Sequence, residues 1–311
     1  MTGVRHLVLA SFAAVLALAL GLALGAGPVV GRSDASRQQR SDRLAARVDR
    51  LQQQVAELQD SARTGSKVLS ALAGPLTDAR LTGHSVLLVR TPGATDALVR
   101  RTRAALLGSG ASLTGELRLA RVYVDPARAS SPLEDLALRL VPPGVTFPAA
   151  ATPIERVGTV LARSTVADEP AADPDQDGAE VIAGLDELGA LTLAGTPGRQ
   201  AQLAVVVTGE REKPRSSEAV TALVRALDAG SQGAVLVGPG SAPPAVGWLR
   251  SGGPEATGGA SSVDSADTAA GQVALVLALA EQVDGGKGAF GAGAGATSVL
   301  PRVVRGTSST G

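Results

Sequence analysis

Residues 203–237 read LAVVVTGEREKPRSSEAVTALVRALDAGSQGAVLV. Leu203–Thr208 is an almost fully apolar run of β-forming residues, which predicts a strand buried on both faces. Ser216–Asp228 follows with helical spacing, and Ser216 or Ser217 is a suitable N-cap. Gly230 and Gly233 end that helix, and Ala234–Val237 reads as the next strand. Strand, helix, strand with continuously apolar strands is the signature of a right-handed βαβ crossover in a parallel sheet.

An earlier stretch has the same pattern. Ser85–Arg90 (SVLLVR) reads as a strand and Thr91-Pro92-Gly93 as a turn. Residues 95–107 place Leu98, Ala105 and Leu106 against arginines on the other face, as a surface helix does. Gly108 and Gly110 stop it, and Leu113–Val124 reads as a second strand. More helices are expected near 132–140, 153–163, 178–188 and 268–283. The last is strongly apolar but short for a membrane span. The expected fold is therefore α/β, with a mainly parallel sheet of βαβ units over residues 80–300 and a disordered tail over 301–311.

Ahead of this domain, residues 7–30 (LVLASFAAVLALALGLALGAGPVV) carry no charge. As a helix they would extend about 36 Å, enough for a hydrocarbon core of about 30 Å. Residues 1–31 are expected to be a single N-terminal transmembrane helix. A cleaved signal peptide, with Ala23-Leu24-Gly25 as the small-x-small site, is the alternative. A segment this close to Met1 acts as an export signal, so the bulk of the chain is expected outside the cytoplasm. The arginines at 32, 37, 40, 43 and 47 argue the other way by the positive-inside rule. Ala13, Ala17, Gly21 and Gly25 line one helix face, and Gly21 and Gly25 form a GxxxG pair that permits close helix approach in lipid. Chance in an Ala/Gly-rich run is the plainer explanation.

Leu44, Val48, Leu51, Val55 and Leu58 are spaced 4, 3, 4 and 3, an a/d heptad seam continued by Ala62. A short coiled coil over 34–64 follows, ended by Gly65 and then Gly74-Pro75. Valine at a with leucine at d favours a parallel homodimer. An amphipathic helix packed on its own domain would show the same spacing.

Composition narrows the chemistry. Hydrophobic residues make up 44% of the 311, but aromatics only 2%, so Ala, Val and Leu must fill the core. Lys+Arg and Asp+Glu balance at 29 each, which leaves no field of one sign for nucleic acid. Cysteine is absent, which removes disulfides, thiolate metal sites and Cys nucleophiles. His6 and His84 are separated, and His84 is expected at the surface. No Ser-His-Asp constellation or nucleophile elbow is present, so no enzyme, catalytic residue or bound cofactor is expected.

Two partial motifs remain. Asp173, Asp175, Asp177 and Gly178 match the start of a calcium loop, but Gly184 stands where the bidentate glutamate belongs. The plainer reading is an acidic N-terminus for the next helix, favoured by the helix dipole. Gly286, Gly288 and Gly291 match a dinucleotide fingerprint, but they follow a helix rather than a strand. A flexible Gly-rich loop is the expectation there.

The chain resembles the actinobacterial MctB-type copper transporter family. The resemblance lies in VRHLVLASFAAVLALALGLALGAG, the heptads, VLLVRTPGA after His84, LAVVVTG and AVLVG. It continues through Ser262-Val263-Asp264, QVALVLALAEQVDGG and GGKGAFGAGAGATSV. It implies copper efflux or homeostasis at the envelope, with copper as cargo rather than cofactor. The residues add no copper chemistry: copper(I) favours thiolates and thioethers, copper(II) imidazoles. Few, continuously apolar strands also fit a membrane barrel poorly. Relatives of this family are also linked to cell separation and wall hydrolases through a membrane partner. That implies the alternative of a non-enzymatic dimeric envelope scaffold acting with division or wall proteins.

Overall fold

The computed structural model describes residues 34–241, 243–252 and 259–302. The anchor or signal peptide at 1–31, with Gly21 and Gly25, lies outside the described residues, as does nearly all of the tail. Among the described residues no helix is long and apolar enough to cross a membrane.

Helix α1 spans Asp34–Thr77 and is longer than the 34–64 expected. Gly65 and Gly74-Pro75 do not end it. A glycine in an exposed helix costs only about 1 kcal/mol. Pro75 falls in the final turn, so the one N–H bond it removes weakens only the end of the helix.

The domain then alternates strands and helices. Strand β1 (Ser85–Arg90) leads through helix α2 (Asp96–Gly108) to strand β2 (Ser112–Leu119). Thr95 caps α2 by accepting the Leu98 N–H. The strand expected to reach Val124 stops at Leu119, because Arg121–Val124 turns into the short helix α3. That turn carries Tyr123 and Val124 into the core. Helices α4 (Pro126–Arg139), α5 (Pro153–Thr165) and α6 (Gln176–Glu187) follow. At α5, Thr152 and Glu155 form a reciprocal capping box. An edge strand β3 (Leu191–Gly195) precedes β4 (Leu203–Val207). Helix α7 spans Pro214–Ala229 and starts before either serine: Lys213 is the N-cap residue and Pro214 occupies N1. Then come β5 (Gly233–Val237), α8 (Pro244–Ser251), β6 (Ser261–Val263), α9 (Ala269–Val283) and β7 (Ala289–Phe290).

The sheet runs β3-β2-β1-β4-β5-β6-β7. All neighbours pair parallel except β3, which is antiparallel to β2. Alternate strand residues enter different cores. Leu87, Val89, Ala204, Val206 and Leu236 face a layer built from α3 to α8. Val86, Leu88, Val205, Val207 and Val237 face α2 and α9. Both faces are therefore covered, which is why the central strands need be apolar throughout.

Candidate functional site

Among the described residues, the exposed apolar row of α1 and the carboxyl ends of the sheet strands are the two candidates for more than packing. On α1, Leu44, Val48, Leu51, Val55 and Leu58 are each between 50% and 70% exposed. Five large apolar side chains in one heptad row on a helix surface form a strip that gains free energy when a second apolar strip covers it.

At the sheet, β1 and β4 are adjacent and parallel, but their connections diverge. α2 leaves β1 for one face, where Leu98, Val99 and Leu106 pack, and leads away to β2. α7 leaves β4 for the other face, where Val220, Leu223 and Leu227 pack, and leads to β5. This is a topological switch point, where open α/β sheets form a crevice beyond their strand ends. Each strand there ends in a fully buried threonine, Thr91 after β1 and Thr208 after β4. Both hydroxyls donate to one oxygen, Oε1 of Glu212, at 2.6 Å and 3.2 Å. Gly93 presents bare backbone to the same oxygen: a β-carbon there would stand 2.7 Å from it. A β-carbon on Gly209 would overlap the Gly93 carbonyl. The crevice is thus closed by the chain's own carboxylate. Sequence reading passed over Thr91, Thr208 and Glu212. The available signal was the repeat of Thr-Pro-Gly and Thr-Gly directly after apolar strands.

Further along the same sheet end, Asp264 follows β6 and is paired with Arg250 of α8 at 2.7 Å. Asp264 also accepts the Ala292 and Gly293 N–H groups, each at 2.9 Å, and the Ser265 hydroxyl at 2.9 Å. Burial alone would push its carboxyl up, but these donors outweigh it and hold the group below the usual carboxylate range. Arg250 reaches the Phe290 carbonyl at 2.7 Å and the Ser262 hydroxyl at 2.9 Å. Gly286, Gly288 and Gly291 therefore belong to a segment pinned at the sheet edge, not to a loose loop. Gly288 and Gly291 border β7, and the chain beyond is wrapped on Asp264. No strand–turn–helix geometry of a dinucleotide site is present in that segment.

On the α2 face, Glu116 is nearly sealed and bonded by Arg103 and by Arg118 at 2.9 Å. Burial raises its carboxyl, and the two guanidiniums more than reverse the shift.

The other expected sites do not assemble. Among the described residues no three His, Cys, Asp or Glu side chains converge as metal ligands. Asp175 stands at the N-cap position of α6 with its carboxylate 3.5 Å from Arg163, while Asp177 lies in the first turn. Asp175 and Asp177 thus stand at the start of α6, and among the described residues the aspartates at 173, 175 and 177 do not converge as a three-ligand group. His84, expected at the surface, is half-buried between α1 and β1, and its carbonyl accepts the Ser112 N–H at 3.0 Å.

Comparison with known proteins adds a family. The family model described as "Copper transport outer membrane protein, MctB" matches residues 1–301. The copper transporter MctB of Mycobacterium tuberculosis is 27% identical, over 96% of this chain and 99% of the relative. That of Mycobacterium bovis is similar to the same extent.

Proposed function

This chain belongs to the MctB family, and from that premise we propose that it serves copper efflux or homeostasis as a membrane-anchored, non-enzymatic protein of the cell envelope. The observation that carries this reading is the match over residues 1–301, which takes in the apolar N-terminus, the heptads and the whole α/β domain. Copper is the cargo of the system and not a ligand held by this chain. With no Cys, one Met and two separated His, the sequence offers no soft donor set. The chain acts instead through assembly. Residues 7–30 anchor it, and the seam from Leu44 to Leu58 joins two copies in parallel. Two anchors in one membrane raise the effective concentration, which a seam of about three heptads needs. The α/β domain then stands outside the cytoplasm.

Deleting the gene in its native host should raise cell-associated copper, read by mass spectrometry, and lower the copper concentration tolerated. The full-length chain supplied in trans should restore both. Unchanged copper content and tolerance after deletion would overturn the reading.

The exposed apolar row on α1 favours a second reading, an envelope scaffold that presents its domain to wall or division proteins. In that case depletion gives chained or misshapen cells at normal copper content.

A further inference from the structure

Among the described residues, the crevice between the β1 and β4 ends is where the topology favours a ligand and two buried donors converge. Glu212 supplies to that crevice what a ligand would: an anionic oxygen placed between two strand ends. The groups that receive it are built into the fold. Thr91 and Thr208 are fully buried. Their backbones are fixed by the sheet, with the Thr91 N–H on the Val207 carbonyl at 3.0 Å and the Thr208 N–H on the Val237 carbonyl at 2.8 Å. A β-carbon on Gly93 would crowd the carboxylate oxygen, and one on Gly209 would collide with the Gly93 carbonyl. Glycines of this kind let a backbone approach an anion closely in doubly wound folds.

The plug itself is of another character. Glu212 sits on the segment between β4 and α7, only half-buried, with exposed Glu210, Arg211, Lys213 and Arg215 around it. Its partners are neutral hydroxyls, and no cation pairs with it among the described residues. Each hydroxyl bond to the Glu212 carboxylate contributes about 1.5–3 kcal/mol, which an incoming anion on the same hydroxyls regains, and no ion pair adds to the plug. With Glu212 turned outward, Arg211, Lys213 and Arg215 exceed Glu210 and Glu212 on this segment by one charge, so its net charge does not repel an anion.

We infer that the β1/β4 crevice is a binding site for the carboxylate or phosphate group of a small molecule, which takes the place of the Glu212 carboxylate on the Thr91 and Thr208 hydroxyls. The site is independent of the copper reading.

The test uses the full-length chain and its Glu212→Ala and Glu212→Gln variants, titrated with acetate and with inorganic phosphate. Binding is read by thermal shift and by calorimetry. Glu212→Ala should bind one of the two anions at least about tenfold more tightly than the wild-type chain, the equivalent of one regained charge-assisted bond. Which anion gains identifies the ligand group. Adding Thr91→Val to Glu212→Ala should abolish the gain, because the receiving hydroxyl is lost while the volume is kept. Glu212→Gln, which keeps the plug without its charge, covers the case in which the alanine variant fails to fold. It should show a smaller gain of the same kind. No gain in either variant, or a gain that survives Thr91→Val, overturns the inference.

Discussion

The guanidinium of Arg250 meets the carboxylate of Asp264 at 2.7 Å, with the two side chains only 5% and 0% exposed. They tie α8, the end of β6 and the Gly-rich segment after β7 into one hydrogen-bonded unit. A buried pair is not itself strong evidence of stability, since desolvating two charges offsets much of their attraction. Removing one partner is different, because the other is left buried and unpaired. Asp264→Ala should therefore lower unfolding free energy by about 3–5 kcal/mol. Urea denaturation would show it. The double variant Arg250→Met with Asp264→Leu should lose clearly less than the sum of the single changes. Strict additivity would mean the pair is not coupled.

The segment beyond β7 depends on the same carboxylate from the other side. A β-carbon on Gly293 would overlap the Ser241 carbonyl, which is backbone and has no room to give. Gly144 has a positive φ of 81° but open space around it. Gly293→Ala should cost more than Gly144→Ala, whose penalty is the left-handed backbone alone, about 1 kcal/mol. Limited proteolysis should then cut Gly293→Ala first within residues 286–300. Equal protease resistance of the two variants would contradict the close approach.

How far the sequence could carry this depends on what holds each element. β1, β4 and β5 were readable because buried parallel strands are apolar without interruption, and α9 because its faces are equally so. β6 was not. Ser261 and Ser262 are buried although neither is apolar: Gln282 donates to the Ser261 hydroxyl and Arg250 to that of Ser262, each at 2.9 Å. Such a strand is defined by tertiary hydrogen bonds, which leave no local period. The switch-point crevice was hidden for a related reason. Thr91 and Glu212 meet across 121 residues of chain, and no spacing rule links them. The α1 seam, in contrast, is a local repeat and was read residue by residue.

Asp228 should make the stability of the domain depend on pH. Burial pushes its carboxyl up to about 6, against the pull of the Ala234 N–H and Lys287. Unfolded, the group titrates near 3.9. A carboxyl with a raised folded value binds its proton more tightly in the folded state. Its contribution is therefore full below about pH 4 and is lost as pH rises through 6. Two units correspond to about 3 kcal/mol, reduced to about 1–2 kcal/mol by the group's partial exposure. Asp228→Asn keeps an acceptor for the Ala234 N–H and removes the titration. Urea midpoints of variant and wild type should diverge in the variant's favour from pH 4 to pH 8. Parallel curves would show that burial does not raise this carboxyl.

The absence of cysteine makes the α1 seam directly testable by single substitutions. In a parallel dimer the two copies of a d position face each other across the axis, whereas f positions point to opposite sides. Leu51 occupies d and Gln53 occupies f of the same heptad. Under mild oxidation, full-length Leu51→Cys should become a disulfide-linked dimer, because paired d positions satisfy the Cα separation of about 4.4–6.8 Å that a disulfide requires. Gln53→Cys should remain largely uncrosslinked under the same conditions. Val55→Asp introduced into the Leu51→Cys chain should suppress the crosslink, since two carboxylates would be forced together at an a position one turn away. If Leu51→Cys and Gln53→Cys crosslinked equally, the contact would be random collision in the membrane plane. If neither did, the exposed row of α1 would have to be covered by something other than a second copy in register.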